Sequence, residues 1–456
     1  MDDLLTLTLT EAAAAVRSGR TTSRALVEAC LARIEATDGL IGSFASLQVD
    51  AAQQAAREFD AGEPIGPLHG VPIALKDLFY TAGVATEANC RSLRGFVPDR
   101  DASVVSRLKA AGAVIVGKTN THELALGVSC PASRNPWDPD RMTGGSSGGN
   151  AAGLASRQFF GALGTDTGGS VRIPSNYCGT TAIKTTRGAV PRDGVHLISW
   201  TYDTVGPMAR TAADCRLLLD VVAGFSPADP FSSKARFAQP VEHQELTLGI
   251  PDESFFDGFR TDPEVRAVME EAIDVIGSIV ADVRTARLPN FAEHFDLGAT
   301  VVFAEAAALL EELHSTQGEL LGDEVRSFLE GGAALPGTAF AAAQAGRTGF
   351  ERSYLDVFEE QGVDIVIAPV NPNQPLPHGC SDIDGVPLIP ATAQFTFPVN
   401  GAGVPAVALP GGFAADGLPI GFQLIGPPLS DHILAALGEA FQAETDHHDA
   451  VPDLAR

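Results

Sequence analysis

The sequence carries GGSSGGN at residues 144–150 and GTDTGGSVRIP at residues 164–174. Glycine loses more backbone freedom on folding than any other residue, so a folded protein concentrates it where the backbone needs a positive φ or approaches another group closely. A Gly/Ser-rich composition is also typical of flexible linkers, but the segment between the two clusters contains Leu154, Phe159, Phe160 and Leu163. This segment is too apolar for a solvated linker. The stretch therefore predicts an active-site floor made of two serine-bearing turns.

Strand and helix patterns continue on both sides of this stretch. Periodicity predicts short strands at 73–79, 113–116, 363–369, 404–409 and 422–425, and helices at 21–37, 102–111, 212–223 and 263–276. Residues 225–350 have mainly helical patterns, with Asp262 as a cap and Pro263 in the first turn of one helix. Because no long hydrophilic linker interrupts the chain, residues 1–456 are predicted to form a single compact domain. We expect one large sheet, with residues 225–350 as a variable helical region that shapes the substrate pocket.

Composition limits the functions that are open to the chain. The formal net charge is −26 and the pI is near 4.6, and such a surface repels polyanions, so we expect no nucleic-acid binding and no adhesion to anionic membranes. No run of about 18 apolar residues predicts a membrane span, and the acidic N-terminus does not resemble a signal peptide. Six scattered cysteines without CxxC spacing indicate reduced thiols in a cytoplasmic protein.

One lysine is placed unusually. The chain has five lysines, and Lys76 lies within the apolar run Ile73–Phe79; the ordinary alternative is an exposed lysine whose stem lies along the surface. Burial lowers the pKa of a lysine because a low dielectric disfavours the ammonium ion. A shift of roughly three units from about 10.4 would leave the amine partly neutral near pH 7. A neutral lysine can take the proton from a serine hydroxyl, which is otherwise a poor nucleophile.

Two other motif matches fail in their sequence context, and the sequence has no metal-site motif. GAVIVGKT at 112–119 matches the phosphate-loop pattern, but its apolar strand lies between the glycines, where a phosphate loop has a turn. GGSSG at 144–148 matches the nucleophile elbow G-x-S-x-G, but a Pro-rich polar loop precedes it where the elbow needs a strand. There is no H-E-x-x-H and no close His/Cys/Asp cluster, so we expect no metal and no cofactor. His69 and His122 lie near the motifs, and neither has the setting of a catalytic base.

Residues 66–215 and 363–435 resemble the amidase signature family. The likeness rests on LKD at 75–77, GGSSGG at 144–149 and GTDTGGSVRIP at 164–174, with serines at 146 and 170 in the spacing of the family. The resemblance implies an α/β fold with a large mixed, twisted sheet covered by helices on both faces. It also implies a catalytic triad in which Lys76 is the general base, Ser146 is a bridging serine on a cis peptide bond, and Ser170 is the nucleophile.

By the same resemblance, an oxyanion hole is formed by the backbone N–H groups of Thr167, Gly168, Gly169 and Ser170. This agrees with the residues themselves, since paired glycines let amides point at a substrate without a Cβ in the way. Supporting roles around this loop fall to three further residues: Asp166, Arg172 and Ser147.

The walls of the substrate pocket are expected to be apolar or aromatic. The candidates are Phe79, Tyr80, Leu126, Val128 and Met142. These side chains favour an uncharged aryl or alkyl amide, or a carbamate, over a dianionic substrate. The alternative is that they belong to the core.

The sequence therefore predicts an amidase that hydrolyses a C–N acyl bond in an amide or carbamate, with esters as side substrates. A small molecule is its only expected partner, without nucleic acid or membrane, and a homodimer is left open. One alternative is the glutaminase A-type subunit of a tRNA-dependent amidotransferase, which uses the same serines and passes ammonia to a partner protein. The acidic surface weighs against it, as does Ile173, where those family members usually carry glutamine. Another alternative, a non-enzymatic binding module, is disfavoured because all three catalytic positions are present.

Overall fold

The computed structural model describes residues 2–256 and 260–455. Among these residues, eleven strands form one mixed sheet and two more form a separate short pair. The strands are β1 (Phe44–Leu47), β2 (Pro72–Lys76), β3 (Val114–Thr119), β4 (Gly161–Asp166), β5 (Thr181–Lys184), β6 (Thr204–Ala209), β7 (Thr247–Pro251), β8 (Asp282–Ala286), β9 (Ile365–Pro369), β10 (Asp382–Ile383), β11 (Val386–Pro387), β12 (Ala406–Phe413) and β13 (Pro419–Ile425). Across the large sheet their order is β1-β3-β2-β4-β6-β5-β12-β13-β9-β7-β8.

Helices flank this sheet on both faces. They are α1 (Asp2–Thr6), α2 (Leu9–Arg17), α3 (Ser23–Ile41), α4 (Val49–Ala61), α5 (Ser103–Ala110), α6 (Gly148–Ala155), α7 (Arg172–Cys178), α8 (Ala212–Val222), α9 (Pro263–Ile279), α10 (Phe291–Leu309), α11 (Glu311–Gln317), α12 (Asp323–Ala333), α13 (Gly337–Gln361), α14 (Leu388–Thr392), α15 (Phe397–Ala402) and α16 (Asp431–Ala443). The predicted α/β fold, with a large mixed sheet between helices, is confirmed.

Strand direction brings two chemically important residues to one edge of the sheet. β2 runs parallel to both β3 and β4, whereas β4 and β6 are antiparallel. Every residue of β2 and β4 is buried, as expected for strands whose two faces are both covered. Lys76 ends β2 and Asp166 ends β4. Because the carboxyl ends of parallel strands meet at the same edge, these two side chains lie on the same side of the molecule.

Local signals in the sequence place several helices correctly. Asp262 caps α9 by accepting the backbone N–H of Glu264, and Pro263 occupies the first turn, as predicted. The N-cap of α3 is Thr22, inside the range 21–37 predicted for this helix. The next residue, Ser23, also has a hydroxyl side chain that can cap a helix, so the pattern leaves the exact start undecided.

Two features of the sheet add to the sequence patterns. Residues 225–350 are mainly helical but also supply β7 and β8, which close one edge of the sheet. Lys118 lies inside β3 and is fully buried beside Asp77, with 3.2 Å between Nζ and Oδ1. β3 occupies Val114–Thr119, where a phosphate loop would have its turn.

None of the helices in the described part of the chain has both the length and the apolar content that crossing a bilayer requires.

Candidate active site

The predicted catalytic residues lie on three neighbouring segments at the edge where β2 and β4 end. Lys76 Nζ is 2.6 Å from Ser146 Oγ and donates a hydrogen bond to Thr165 Oγ1 at 2.9 Å. Ser146 precedes α6, and the Gly145–Ser146 peptide bond is cis. The backbone N–H of Ser147 donates to the carbonyl of Ser170 at 3.1 Å and so joins the two serine-bearing turns. Ser170 precedes α7 and faces a cavity.

The environment of Lys76 favours its neutral form. The side chain is fully buried, and this burial lowers the pKa of Lys76 to about 7, although Cys130, Asp166 and Asp203 favour the charged form. A neutral amine has one lone pair and two N–H bonds. It can therefore accept the Ser146 hydroxyl proton while still donating to Thr165, which is the arrangement that general base catalysis through a serine requires.

We call residues Thr167–Ser170 the oxyanion loop. One of its four predicted donors, the backbone N–H of Gly169, makes a hydrogen bond within the protein instead. The backbone N–H of Gly169 donates to Asp166 Oδ1 at 2.7 Å. Gly169 has φ of +124°, and a Cβ there would lie 2.3 Å from Thr396 Oγ1, so only glycine fits without strain. The N–H of Gly169 thus holds the shape of the loop. The oxyanion role predicted for the N–H groups of Thr167, Gly168 and Ser170 stays a prediction.

A buried ion pair between Asp166 and Arg172 holds the oxyanion loop in place. Asp166 and Arg172 are both fully buried, with 3.1 Å between Oδ1 and Nη2. Burial opposes ionisation of Asp166, but the charges of Arg172 and Lys184 and the hydrogen bonds from Arg172 and Asn400 together outweigh burial and lower the pKa of Asp166 to about 2. Arg172 also donates to three groups near the other end of the chain: the Thr396 carbonyl, Asn400 Oδ1 and Gln423 Oε1.

Replacing Asp166 with asparagine is expected to destabilise the fold by about 3–5 kcal/mol, since it leaves the buried Arg172 without a counter-ion. Urea unfolding of the variant and the unchanged chain measures this difference. The control is Asp282→Asn, which breaks an exposed pair with Arg284 and should leave stability within experimental error. Equal stability of Asp166→Asn and the unchanged chain would contradict the role given to the pair.

Asp203 is a site residue that the sequence analysis missed. Its Oδ1 accepts the hydroxyl of Thr167 at 2.6 Å, and its Oδ2 accepts the backbone N–H of Ile198 at 2.8 Å. Burial raises the pKa of Asp203. The carboxylate therefore fixes the first residue of the oxyanion loop against the segment that precedes β6. In the sequence, this aspartate lies in a loop-rich region with no motif around it.

A cavity of about 640 Å³ opens beside Ser170, Gly168 and Thr167. Of the predicted pocket residues, Leu126 and Val128 line it. The other three predicted pocket residues are not in the cavity lining. Phe79 is buried and Tyr80 partly buried in the main core, and Met142 is buried in the cluster that also contains the wall residues Val128 and Phe397.

Most of the remaining cavity wall comes from two parts of the chain: the 225–350 region, which the sequence predicted would shape the pocket, and the segment around α14 and α15, which it did not. The wall includes Phe295 and Val302 on α10, Phe328 on α12, and Ile389 and Phe397 near α14 and α15. Within the described ranges, no group of three or more His, Cys, Asp or Glu side chains is arranged to hold a metal ion.

Comparison with known proteins identifies the class of the enzyme. A solved structure of 6-aminohexanoate cyclic dimer hydrolase is 27% identical, with a TM-score of 0.88 over 99% of this chain and 100% of that one. A second solved structure is 32% identical, with a TM-score of 0.89 over 96% of this chain and 98% of that one. It belongs to a vestigial protein complex that reveals the evolutionary origins of an s-triazine catabolic enzyme. The fold and these relatives define an enzyme that acts on amide C–N bonds. The model of the amidase family matches residues 25–434, and the chain belongs to the amidase signature family.

Relatives known by name extend this comparison. The A subunit of the glutamyl-tRNA(Gln) amidotransferase of Chloroflexus aurantiacus is 40% identical, and the match covers 100% of both chains. The protein of the same name from a Roseiflexus species is 38% identical over 98% of each chain. The expectation of an enzyme that has only a small-molecule partner and no nucleic acid is therefore wrong, because these relatives are subunits of an assembly named for a tRNA. Net charge gives the average field around a chain and does not determine which assembly the chain joins.

Proposed function

We propose that this chain hydrolyses the C–N bond of an amide through an acyl-enzyme on Ser170. The observation that carries the proposal is the fully buried Lys76, whose Nζ lies 2.6 Å from Ser146 Oγ. A hydroxyl bound to a neutral amine can relay a proton to it from a second hydroxyl. The backbone bond between the two serine-bearing turns and the position of Ser170 at the cavity support its role as that second hydroxyl.

The reaction then proceeds in two stages, acylation of Ser170 and hydrolysis of the acyl-enzyme. Ser170 Oγ attacks the amide carbonyl while its proton passes to Ser146 and the proton of Ser146 passes to Lys76. The N–H groups of Thr167, Gly168 and Ser170 stabilise the oxyanion of the tetrahedral intermediate. Lys76 returns the proton through Ser146 to the leaving nitrogen, and the C–N bond breaks. Water next attacks the ester through the same relay and releases the acid and free Ser170.

The region from 225 to 350 shapes the substrate cavity in this proposal, within a single catalytic domain. Support comes from α10 and α12, which supply Phe295, Val302 and Phe328 to the cavity wall. Amides, carbamates and esters all present a carbonyl that Ser170 could attack, and amides are the class that the named hydrolase relative supports. The six cysteines are free thiols, which supports a cytoplasmic location.

A second candidate is the amide-hydrolysing subunit of an amidotransferase. The observation that favours it is the 40% identity to such subunits over the full length of both chains. This is more direct support than exists for an aryl amide or a carbamate. In this candidate Ser170 releases ammonia from an amide, and a partner subunit uses it on a tRNA-bound acyl group.

An activity-based probe and a substrate panel test the proposal together. A fluorophosphonate should label Ser170, as located by peptide mass spectrometry, because the probe forms a covalent bond only with an activated serine. The purified chain should also hydrolyse at least one member of a panel of primary amides, anilides and carbamates. Labelling elsewhere, together with an inert panel, would contradict the proposal. Glutamine hydrolysis by the chain, and its co-purification with a second subunit, would select the amidotransferase candidate.

A further inference from the structure

The cavity beside Ser170 has a wall that is almost entirely apolar. Aromatic rings face it from several elements, with Phe295 and Phe303 on α10, Phe328 on α12 and Phe397 at the start of α15. Phe397 is held in place by Tyr202, whose ring stacks on it with centroids 5.4 Å apart. An acyl group in this space would exchange water for hydrocarbon, which favours an apolar chain.

The ionisable side chains that line the cavity have one sign. Among the described residues that line it, these side chains are Asp296 and Glu324, and no lysine, arginine or histidine is present. Both carboxylates are on exposed residues and lie at the mouth, where Glu324 Oε2 is 3.4 Å from Nε2 of the buried His122, a residue outside the lining. The arginine nearest to the nucleophile in sequence, Arg172, is fully buried and already bound to Asp166 and Asn400.

We infer that this cavity admits amides whose acyl part is uncharged and apolar, and rejects amides whose acyl part carries a carboxylate, free glutamine included. The inference rests on the proposed function and specifies its substrate. A carboxylate brought into the cavity would lose its hydration shell without gaining a cationic partner. It would also approach the carboxylates of Asp296 and Glu324 at the mouth of the cavity. The formal net charge of −26 on the whole chain repels it further. A related chain that uses glutamine would need a cation at this place.

A matched pair of substrates tests the inference. Hexanamide and adipamate have the same chain length to the amide, and adipamate replaces the terminal methyl group with a carboxylate. The expected kcat/KM for hexanamide exceeds that for adipamate by about 100-fold or more at physiological salt, as for other sites in which a buried charge or polar group is left unpaired. Values within threefold of each other would overturn the inference. Glutamine should behave like adipamate.

A variant that adds a cation tests the cause. Ala299 is a partly exposed residue of α10 that lines the cavity. Ala299→Arg should raise kcat/KM for adipamate and lower the hexanamide-to-adipamate ratio of kcat/KM by at least tenfold. Ala299→Gln, which adds bulk without charge, is the control and should not lower this ratio. An unchanged ratio in Ala299→Arg, or equal narrowing in both variants, would overturn the inference.

A binding measurement separates this inference from the proposed function. Titration calorimetry of the Ser170→Ala variant should detect binding of hexanamide and should detect no binding of adipamate at the same concentrations. If no amide is hydrolysed by the unchanged chain while this difference persists, the inference stands and the proposed function fails. If the two compounds bind equally, the inference fails whatever the enzyme hydrolyses.

Discussion

Ser170→Ala is expected to lower kcat for amide hydrolysis by about 10⁴-fold or more, because removal of a nucleophile leaves only binding and oxyanion stabilisation. The hydroxyl faces the cavity, and the backbone bond between the Ser147 N–H and the Ser170 carbonyl does not involve it. The loop should therefore keep its shape. Single-turnover and steady-state assays of the variant, with circular dichroism to show that it is folded, measure the loss.

The matched control for this experiment is Ser175→Ala. Ser175 is a buried serine on α7, and its Oγ has no hydrogen-bond partner among the described residues. Its replacement should leave kcat within a few-fold of the unchanged chain. A Ser170→Ala variant that keeps more than a tenth of the activity would end the assignment of Ser170 as nucleophile.

Lys76→Met is expected to lower kcat by about 10³-fold or more, since the relay then has no base to accept the proton of Ser146. Methionine matches the length of the side chain and removes a buried amine, so the fold should survive. In the unchanged chain, kcat/KM should rise with pH through about 7, which is the pKa that burial gives to Lys76. The sign follows because only the neutral amine, present above this pKa, is a base.

Lys184 provides a matched control for the pH profile. It is also fully buried, and burial lowers its pKa to about 7, but its Nζ donates to the carbonyl of Thr185. Lys184→Met should keep the rise of kcat/KM near pH 7. Loss of this rise in Lys184→Met, or its persistence in Lys76→Met together with high activity, would contradict the role of Lys76.

The sequence was most informative where local chemistry determines the structure. An apolar strand around Lys76 predicted a buried amine, and the glycine clusters predicted close backbone approach, as Gly169 now illustrates. Helix caps such as Asp262 are read from neighbouring residues alone. The mixed sheet was predicted only through resemblance to a family and the order of its strands was not predicted, because strand pairing depends on contacts between residues far apart in the chain.

Other features depend on long-range packing and could not be read from the pattern. Asp203 contacts Thr167 only after two distant segments meet. The wall residues Phe295, Phe328 and Phe397 meet only in the folded chain. The N–H of Gly169 donates to Asp166 Oδ1 and not to a substrate oxygen, and the sequence does not show how the carboxylate lies relative to this N–H.

The bonds from Arg172 to Thr396, Asn400 and Gln423 also govern when the enzyme can first work during its synthesis. All three predicted catalytic residues are synthesised before the residues that hold their loop. The loop with Ser170 is hydrogen-bonded through Arg172 to residues that are synthesised more than two hundred positions later. A nascent or prematurely terminated chain that contains Lys76, Ser146 and Ser170 but stops before residue 390 would lack these fastenings. We therefore expect hydrolysis only from chains that extend past Gln423, because shorter chains lack one or more of these bonds.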